Sequence, residues 1–269
     1  MLAAVGLIHR PTVSIEMDRR RDRKRVLRGV GLQHDARGGK IAQYRHLDAQ
    51  GLPIPKWTEI VPDTSLDPEE WGPYVVVKPS RGERGAYVWI HRTGRVRFRP
   101  RSEYPEGHPG RKGPMLAQGF VYTGPWPTAY RVVTFFGRPL AAIRYDGRND
   151  LSPLDDPDNF RMTGGGVSIV ASAQGSSIAL NQEPDVLDLA RRAHAAFPNI
   201  PSLGVDMVRE KATGALYLLE VNPGGFAWIL TNDNGREMQA EFGLDFYSQF
   251  KALDVIADRS IEIAREYAR

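Results

Sequence analysis

Apolar residues recur along the chain with two kinds of spacing, and each kind predicts its own type of element. Spacings of three and four residues predict three helices, which run from Gly39 to Gly51, over 185–197 and over 246–267. Short apolar stretches between glycine, proline and polar turns predict strands at 74–77, 86–90, 115–122, 130–136, 139–145, 166–171, 203–209 and 215–222. Because neighbouring strands form antiparallel hairpins and helices lie between groups of strands, the predicted fold class is α+β.

The composition is typical of a soluble globular protein. The chain has 269 residues, of which 41% are hydrophobic and 25% are charged, and this mixture excludes collagen, a coiled coil and wholesale disorder. Cysteine is absent, which excludes disulfides, thiolate metal sites and cysteine nucleophiles. No apolar stretch approaches the roughly 20 residues of a membrane span, and the first residues lack the pattern of a secretory signal. We therefore expect a cytoplasmic protein with no membrane partner.

The small basic excess, 36 Lys and Arg against 32 Asp and Glu, is concentrated in two clusters at 18–25 and 95–101. Such clusters can bind a phosphate backbone. The alternative is a solvated arm at the first cluster and, at the second, the polar face of a strand in which Val96, Phe98 and Pro100 alternate with arginines. We favour this alternative over a nucleic-acid partner, because no recognition helix, zinc finger or RNA-binding aromatic motif accompanies either cluster.

The most informative stretch is a predicted hairpin that carries two acidic residues. A turn midway between its strands places Asp206 opposite Glu220, and Asn222 shares the face of Glu220. Two carboxylates in an apolar setting repel each other unless a cation lies between them, and three oxygen donors of this kind suit Mg²⁺. The alternative is that one carboxylate faces solvent or pairs with Arg209 or Lys211.

A lysine at the end of a predicted strand precedes a glycine-bearing loop. Lys78 ends the strand, and Gly82 and Gly85 follow in the loop. A lysine there can offer a point charge to a phosphate, while backbone N–H groups close over it. The sequence contains no Walker A loop and no dinucleotide-binding glycine motif. The alternative is a lysine beside an ordinary hairpin turn.

Taken in chain order, these pieces resemble the ATP-grasp superfamily, especially its RimK-type and glutathione-synthetase-like carboxylate–amine ligases. The resemblance covers about residues 36–230, and although each motif is common alone, seven in the family's order are not. The seven are Lys40 with Ala-Gln-Gly-Leu-Pro-Ile-Pro at 49–55, Val-Val-Val-Lys at 75–78 with its glycine loop, Leu-Ala-Gln-Gly-Phe-Val at 116–121, Tyr-Arg-Val-Val at 130–133, Phe-Arg at 160–161 before three glycines at 164–166, Gly-Val-Asp at 204–206, and Leu-Glu-Val-Asn-Pro-Gly at 219–224.

The resemblance implies an ATP-grasp fold, in which ATP lies between two α+β lobes. It would divide the chain into a basic N-terminal arm or truncated pre-ATP-grasp region at 1–38, a small lobe with the glycine loop at 39–114, and a large lobe with the hinge and the Mg²⁺ site at 115–269. Family members usually carry a substrate-binding domain ahead of the first lysine, whereas 39 residues precede Lys40 here. The carboxyl donor would then be bound differently, or a partner would complete the site.

The resemblance also implies which residues hold the nucleotide. Two lysines would contact the phosphates of ATP, and the glycine loop would fold over them. A hinge segment would hold adenine, mostly through backbone groups. The nucleotide-binding residues would be Lys40, Lys78, Ser80, Gly82 and Gly85 at the phosphates, and Gln118, Gly119, Phe120 and Val121 at the hinge.

The metal-binding and catalytic residues follow from the same resemblance. Asp206, Glu220 and Asn222 would hold one or two Mg²⁺ ions, with Mn²⁺ as the alternative ion. Arg131 and Arg161 would be the catalytic residues, because a guanidinium fork is suited to grip an acyl-phosphate or a substrate carboxylate.

The implied activity is that of an ATP- and Mg²⁺-dependent ligase. It would phosphorylate a small-molecule or peptide carboxylate and let an amine displace the phosphate, forming an amide, while the protein supplies positioning and charge neutralisation. A phosphotransferase on the same scaffold, a non-enzymatic nucleotide-binding module and nucleic-acid binding through the 18–25 cluster are the alternatives. Gly119 and Ala129 stand where many relatives carry polar or acidic residues, so the substrates stay open, and a homodimer is compatible with these expectations.

Overall fold

The structure of the chain is a computed structural model that describes residues 13–16, 30–33, 38–82, 86–147, 176–224, 230 and 232–267. Several predictions lie outside these ranges, namely the strand at 166–171, the basic cluster at 18–25, Gly85 and Arg161. Within the described ranges, no helix combines the length and the apolar character that crossing a membrane requires.

The described part of the chain contains eleven strands and six α-helices. The strands are β1 Val13–Glu16, β2 Val30–Gln33, β3 Trp57–Glu59, β4 Tyr74–Pro79, β5 Trp89–Arg92, β6 Met115–Gly119, β7 Thr128–Phe135, β8 Arg138–Gly147, β9 Ser176–Leu180, β10 Ser202–Arg209 and β11 Leu216–Pro223. The helices are α1 Gly39–Ala49, α2 Pro68–Trp71, α3 Pro184–Ala195, α4 Asp233–Phe242, α5 Phe246–Gln249 and α6 Ala252–Tyr267. Three short 3-10 helices lie between β5 and β6, at Thr93–Arg95, Arg101–Glu103 and Pro109–Arg111.

Most of these strands form two antiparallel sheets. One has four strands in the order β3-β6-β4-β5, and the other has five in the order β11-β10-β7-β8-β9. A separate two-stranded sheet pairs β1 with β2 in parallel, which the sequence did not predict. The α+β class is confirmed. Strand β6 hydrogen-bonds in the four-stranded sheet, so the chain passes to the five-stranded sheet between Gly119 and Thr128. The predicted boundary between the lobes, at residue 115, stays a prediction.

The five-stranded sheet is covered on both faces, which explains why its central strand β7 carries buried apolar side chains on both sides. Alternate residues of β7 enter different core clusters, since Tyr130 and Val132 pack on one face and Val133 and Phe135 on the other. Helix α3 covers the first face, and residues of α4, α5 and α6 pack in the cluster on the second face. Burial on both faces fixes the register of β7, because a one-residue slip would exchange the two sets.

Helix α1 lies where the two sheets meet. Its buried residues Ile41, Tyr44 and Leu47 belong to one core cluster, as the helical spacing predicted. That cluster also contains Leu116 of β6 and buried residues of β7, β10 and β11. The same helix therefore packs against side chains from both sheets, and Lys40 at its first turn lies between them.

Three predictions about elements are corrected by the structure. The single helix over 246–267 is two helices, α5 and α6, because Lys251 adopts a left-handed conformation with φ of 52°. The hairpin strand at 86–90 instead spans Trp89–Arg92. The basic segment 95–101 is not a strand. Val96 is buried while Phe98 is 38% exposed, so the segment does not present one polar and one apolar face.

Candidate active site

The acidic residues of the predicted hairpin lie opposite each other. The register of β10 and β11 pairs Asp206 with Glu220 and Gly204 with Asn222, and it shifts by one residue directly after Asp206. On its other side, β10 pairs with β7, which places Arg131 opposite Asp206. Glu220, Asp206 and Arg131 therefore form one row across three strands, and because side chains alternate along a strand, Asn222 shares their face.

Asp206 is held by two hydrogen-bond donors. Arg131 donates from Nε to Oδ1 at 2.6 Å and from Nη2 to Oδ2 at 2.7 Å, and Asn222 donates from Nδ2 to Oδ2 at 2.8 Å. Burial alone would lower the pKa of the Arg131 guanidinium, but the charge and hydrogen bonds of Asp206 raise it above its usual value. Arg131 also hydrogen-bonds the side chain of Tyr145.

Glu220 is paired with the lysine at the start of helix α1. Lys40 Nζ lies 3.0 Å from Glu220 Oε2 and donates to the carbonyl oxygen of Gly82 at 3.3 Å. Burial would raise the pKa of the Glu220 carboxyl, but Lys40 and Lys78 hold it below its usual value. Through these two contacts, Lys40 connects helix α1 with the loop after β4 and with strand β11.

Lys78 is the most buried charged group of the cluster, with 6% exposure. Its Nζ donates to the hydroxyl oxygen of Tyr44 at 2.8 Å. Burial lowers the pKa of the Lys78 ammonium to about 8, an effect that Lys40 reinforces and that the negative charges of Glu220 and Asp206 oppose. At neutral pH the group therefore stays mostly protonated, and an added anion would make it more so.

Ser80 contacts the helix that carries Lys40. Its carbonyl oxygen accepts from the N–H of Lys40 at 2.8 Å, and its Oγ accepts from the N–H of Ile41 at 3.4 Å. These bonds satisfy N–H groups of the first helical turn, which have no partner within the helix. Gly39 is required here, because φ is +69° and an added Cβ would lie 2.7 Å from the Ser80 carbonyl oxygen. The predicted contact of Ser80 with phosphate stays a prediction.

The predicted hinge lies at the end of β6, where the chain leaves the four-stranded sheet. The Gln118 side chain is buried, and its Oε1 lies 2.5 Å from the hydroxyl of Tyr44. The N–H of Gly119 donates to the carbonyl oxygen of Lys56 at 2.7 Å, so this backbone group has a partner within the protein. Phe120 and Val121 are half-buried in the connection to β7, and their role at adenine stays a prediction.

The structure thus brings together seven of the fourteen residues that the sequence assigned to the site. Eight charged or polar side chains form the cluster, which we call the junction cluster: Lys40, Tyr44, Lys78, Gln118, Arg131, Asp206, Glu220 and Asn222. The predicted need for cations beside the two carboxylates is met within the chain by Arg131 and Lys40. In the described part of the chain the two carboxylates form their ion pairs with Lys40 and Arg131, and Arg209 pairs instead with Glu183 and Asp185. The alternative pairing with Arg209 or Lys211 is therefore not seen among these residues.

Tyr44 is the member of the junction cluster that sequence reasoning did not assign to the site. Helical spacing identified its ring as buried, and the ring is fully buried against Trp57, with centroids 5.5 Å apart. Spacing carries no information about the hydroxyl, whose partners come from strands elsewhere in the chain.

The junction cluster fits Mg²⁺ only together with ligands from a substrate. Among the described residues, no group of three His, Cys, Asp or Glu side chains could hold a metal ion. Asp206, Glu220 and Asn222 offer two carboxylates and one amide, all of them hard oxygen donors. Mg²⁺ is commonly bound by one or two carboxylates together with substrate phosphates and water. The donor set therefore suits an ion that arrives with a phosphate-bearing ligand, and it does not suit a resident structural metal.

Comparison with known proteins finds similar solved structures but no similar sequences. No family model and no curated protein sequence matches the chain. The structure of D-cycloserine synthetase DcsG matches with a TM-score of 0.50 and 19% identity over 76% of this chain and 69% of that chain. D-alanine–D-alanine ligase from Bacillus anthracis, complexed with ATP, matches with a TM-score of 0.48 and 17% identity over 85% of this chain and 67% of that chain. ATP-grasp ligase PsnB, complexed with a phosphomimetic variant of minimal precursor, Mg and ADP, matches with a TM-score of 0.44 and 18% identity over 77% of this chain and 54% of that chain.

The match to D-cycloserine synthetase DcsG, with its TM-score of 0.50, shows the fold of the chain. At 19% identity it shows the architecture and nothing finer about activity. The chain has the ATP-grasp fold, as the order of its motifs implied, while the RimK-type subdivision stays a prediction.

Proposed function

We propose that this chain is an ATP- and Mg²⁺-dependent ligase that activates a carboxylate as an acyl-phosphate and joins it to an amine. The observation that carries the proposal is the junction cluster, in which Lys40, Lys78, Asp206 and Glu220 gather between the two sheets of an ATP-grasp fold. Bound ATP would supply the phosphoryl group that turns a carboxylate oxygen into a leaving group. The protein needs no nucleophile of its own for such a reaction, and its lack of cysteine agrees with that.

The pair of Lys40 and Glu220 is suited to exchange partners with a magnesium–phosphate ligand. In the structure each neutralises the other at 3.0 Å. A ligand that carries both a cation and phosphate oxygens offers Glu220 a positive partner and Lys40 a negative one, so both charges stay compensated when the pair opens. Lys78 adds a second point charge for phosphate. Arg131 holds the Asp206 carboxylate in place with two hydrogen bonds, and the substrate-gripping role implied for Arg131 stays a prediction.

The proposal is tested by following one carboxylate oxygen atom. Purified chain is incubated with Mg²⁺, ATP and a panel of ¹⁸O-labelled carboxylates with amines, and ADP, phosphate and products are measured by mass spectrometry. An acyl-phosphate transfers one ¹⁸O from the carboxylate to the released phosphate, and the amide appears in equal amount. ADP release without ¹⁸O in phosphate would contradict the ligase. A phosphorylated product without free phosphate would indicate a phosphotransferase, and ATP binding without turnover would indicate a nucleotide-binding module.

A matched pair of variants assigns the activity to the junction cluster. Glu220→Gln removes a proposed metal ligand with little change of shape, and turnover should fall by at least roughly 100-fold, since a metal contributes several kcal/mol to charge stabilisation. Glu262→Gln is the control, because Glu262 forms a surface ion pair with Arg138. Equal turnover in both variants would remove Glu220 from the site.

A further inference from the structure

The hydroxyl of Tyr44 connects three segments that are far apart in the chain. It accepts from Lys78 Nζ at 2.8 Å, and it lies 2.5 Å from Gln118 Oε1 and 2.5 Å from the carbonyl oxygen of Leu219. Lys78 and Gln118 belong to the four-stranded sheet, and Leu219 belongs to the five-stranded sheet. Leu219 directly precedes Glu220. One hydroxyl therefore fixes the distance between Lys78 and the strand that carries Glu220.

The hydrogen-bonding capacity of a phenol limits how these contacts are shared. The hydroxyl has one hydrogen, so it donates to only one of the two nearby oxygens at a time. With the Gln118 amide turned by 180°, its Nε2 would donate to the phenol oxygen, and the hydrogen of Tyr44 would go to Leu219. In either arrangement the phenol oxygen still accepts from Lys78. The contact with Lys78 is therefore the constant part of the network.

Packing alone does not explain a tyrosine at this position. The side chain is fully buried, its ring packs against Trp57, and burial raises the pKa of its hydroxyl well above the usual value, reinforced by the charge of Glu220. Phenylalanine would fill the same space without burying a hydroxyl, and burying a hydroxyl without partners is unfavourable. The buried ammonium of Lys78 is what needs an acceptor here, because an unpaired buried charge is strongly destabilising.

We propose that Tyr44 is a positioning residue of the candidate active site, whose hydroxyl holds the Lys78 ammonium at a fixed place relative to strand β11. The contacts that support this positioning role do not depend on the proposed function, whereas the effect of Tyr44 on ATP binding rests on it. If Lys78 binds phosphate, a Lys78 that is already held loses less freedom on binding, so Tyr44 strengthens ATP binding in the ground state and the transition state alike.

The test removes the hydroxyl and keeps the ring. Tyr44→Phe is compared with Tyr247→Phe, which loses a similar bond from a half-buried hydroxyl, donated to the carbonyl oxygen of Leu230 at 2.8 Å outside the junction cluster. The first measurement uses no nucleotide: acetic anhydride labels lysines at a fixed pH, and mass spectrometry gives the rate at Lys78. We expect labelling of Lys78 to rise several-fold in Tyr44→Phe, because the ammonium loses its acceptor, and to stay unchanged in Tyr247→Phe.

The second measurement uses steady-state kinetics with ATP. In Tyr44→Phe the apparent KM for ATP should rise about tenfold while kcat falls by less than about threefold, which is the pattern for loss of uniform binding. A merely structural role for Tyr44 would lower the amount of active enzyme and leave the KM for ATP unchanged. If Tyr44→Phe does not fold, 3-fluorotyrosine placed at position 44 keeps the size and weakens the acceptor, and the same rise in labelling is expected.

The outcomes separate this proposal from the proposed function. Unchanged labelling of Lys78 in Tyr44→Phe, or an equal rise in Tyr247→Phe, would overturn the positioning role whatever the enzyme does. A selective rise in labelling together with no turnover of ATP by the unaltered chain would support the positioning role and count against the ligase. A selective rise together with a raised KM supports both.

Discussion

His194 on helix α3 gives a prediction about stability whose size follows from the structure. The ring is buried, with 2% exposure, and its Nδ1 lies 2.7 Å from Thr134 Oγ1. The hydroxyl of Thr134 also donates to the carbonyl oxygen of Leu203, 3.2 Å away.

Burial lowers the pKa of His194 from 6.5 to about 4; the nearby charge of Arg259 also lowers it, and a hydrogen bond to the backbone of Ile200 opposes the shift. Above pH 6.5 the ring is neutral in both the folded and the unfolded chain, so it adds no pH dependence. Between pH 6.5 and about 4 only the unfolded chain binds a proton, so the free energy of unfolding falls as the pH falls. The slope is about 1.4 kcal/mol per pH unit, and the total loss is about 3 kcal/mol.

The assay compares the unaltered chain with His194→Asn, which keeps a hydrogen bond to Thr134 but does not titrate. Urea unfolding is measured in steps from about pH 7.5 to about pH 5, and the difference in the free energy of unfolding between the two chains is plotted against pH. We expect that difference to shift by about 2 kcal/mol in favour of His194→Asn between pH 6.5 and pH 5. His108→Asn is the control, because the ring of His108 is only half-buried. Its difference in the free energy of unfolding from the unaltered chain should change less with pH than that of His194→Asn. A difference that is constant over this interval would refute the reasoning.

Three further predictions concern the site and its supports. Gly39→Ala should lower the free energy of unfolding, measured in urea, by more than the about 1–2 kcal/mol that a left-handed conformation costs an ordinary residue. Gly51→Ala is the control, because φ is also positive there but an added Cβ meets no atom within 4 Å; the difference between the two variants measures the cost of the steric clash at Gly39. Arg131→Met should cost about 3 kcal/mol because Asp206 loses its partly buried ion-pair partner. Arg138→Met, at a more exposed ion pair, should cost less than about 1 kcal/mol, and equal costs in urea unfolding would contradict the burial argument. Mg²⁺ alone should bind weakly, and calorimetry that finds tight binding without nucleotide would contradict the donor set described above.

The parts of the site that lie on one hairpin could be predicted from the sequence. Asp206 and Glu220 are joined by a short turn, so counting residues from that turn gave their pairing, which the register confirms. The helix after Gly39 and the burial of Tyr44 followed from spacing in the same way. Local periodicity determines such features, because only a few residues separate the groups that meet.

Contacts between distant segments could not be predicted in this way. The partners of the Tyr44 hydroxyl are 34, 74 and 175 residues away in the chain, and neither spacing nor propensity specifies which polar groups a buried hydroxyl meets. The pairing of Asp206 with Arg131 depends on β7 lying beside β10, which is a property of sheet order. The three-residue strand β3 gave no periodic signal, because its residues are all half-buried.

The central claim is that the junction cluster binds ATP together with Mg²⁺, and calorimetric titration of ATP into the chain tests it most directly. Titrations with and without Mg²⁺ give the factor by which the ion strengthens ATP binding. We expect a factor of at least roughly ten for the unaltered chain and a factor near one for Glu220→Gln, while Lys78→Ala weakens binding under both conditions. A chain that binds no ATP, or a Glu220→Gln variant that keeps the full effect of Mg²⁺, would contradict the account.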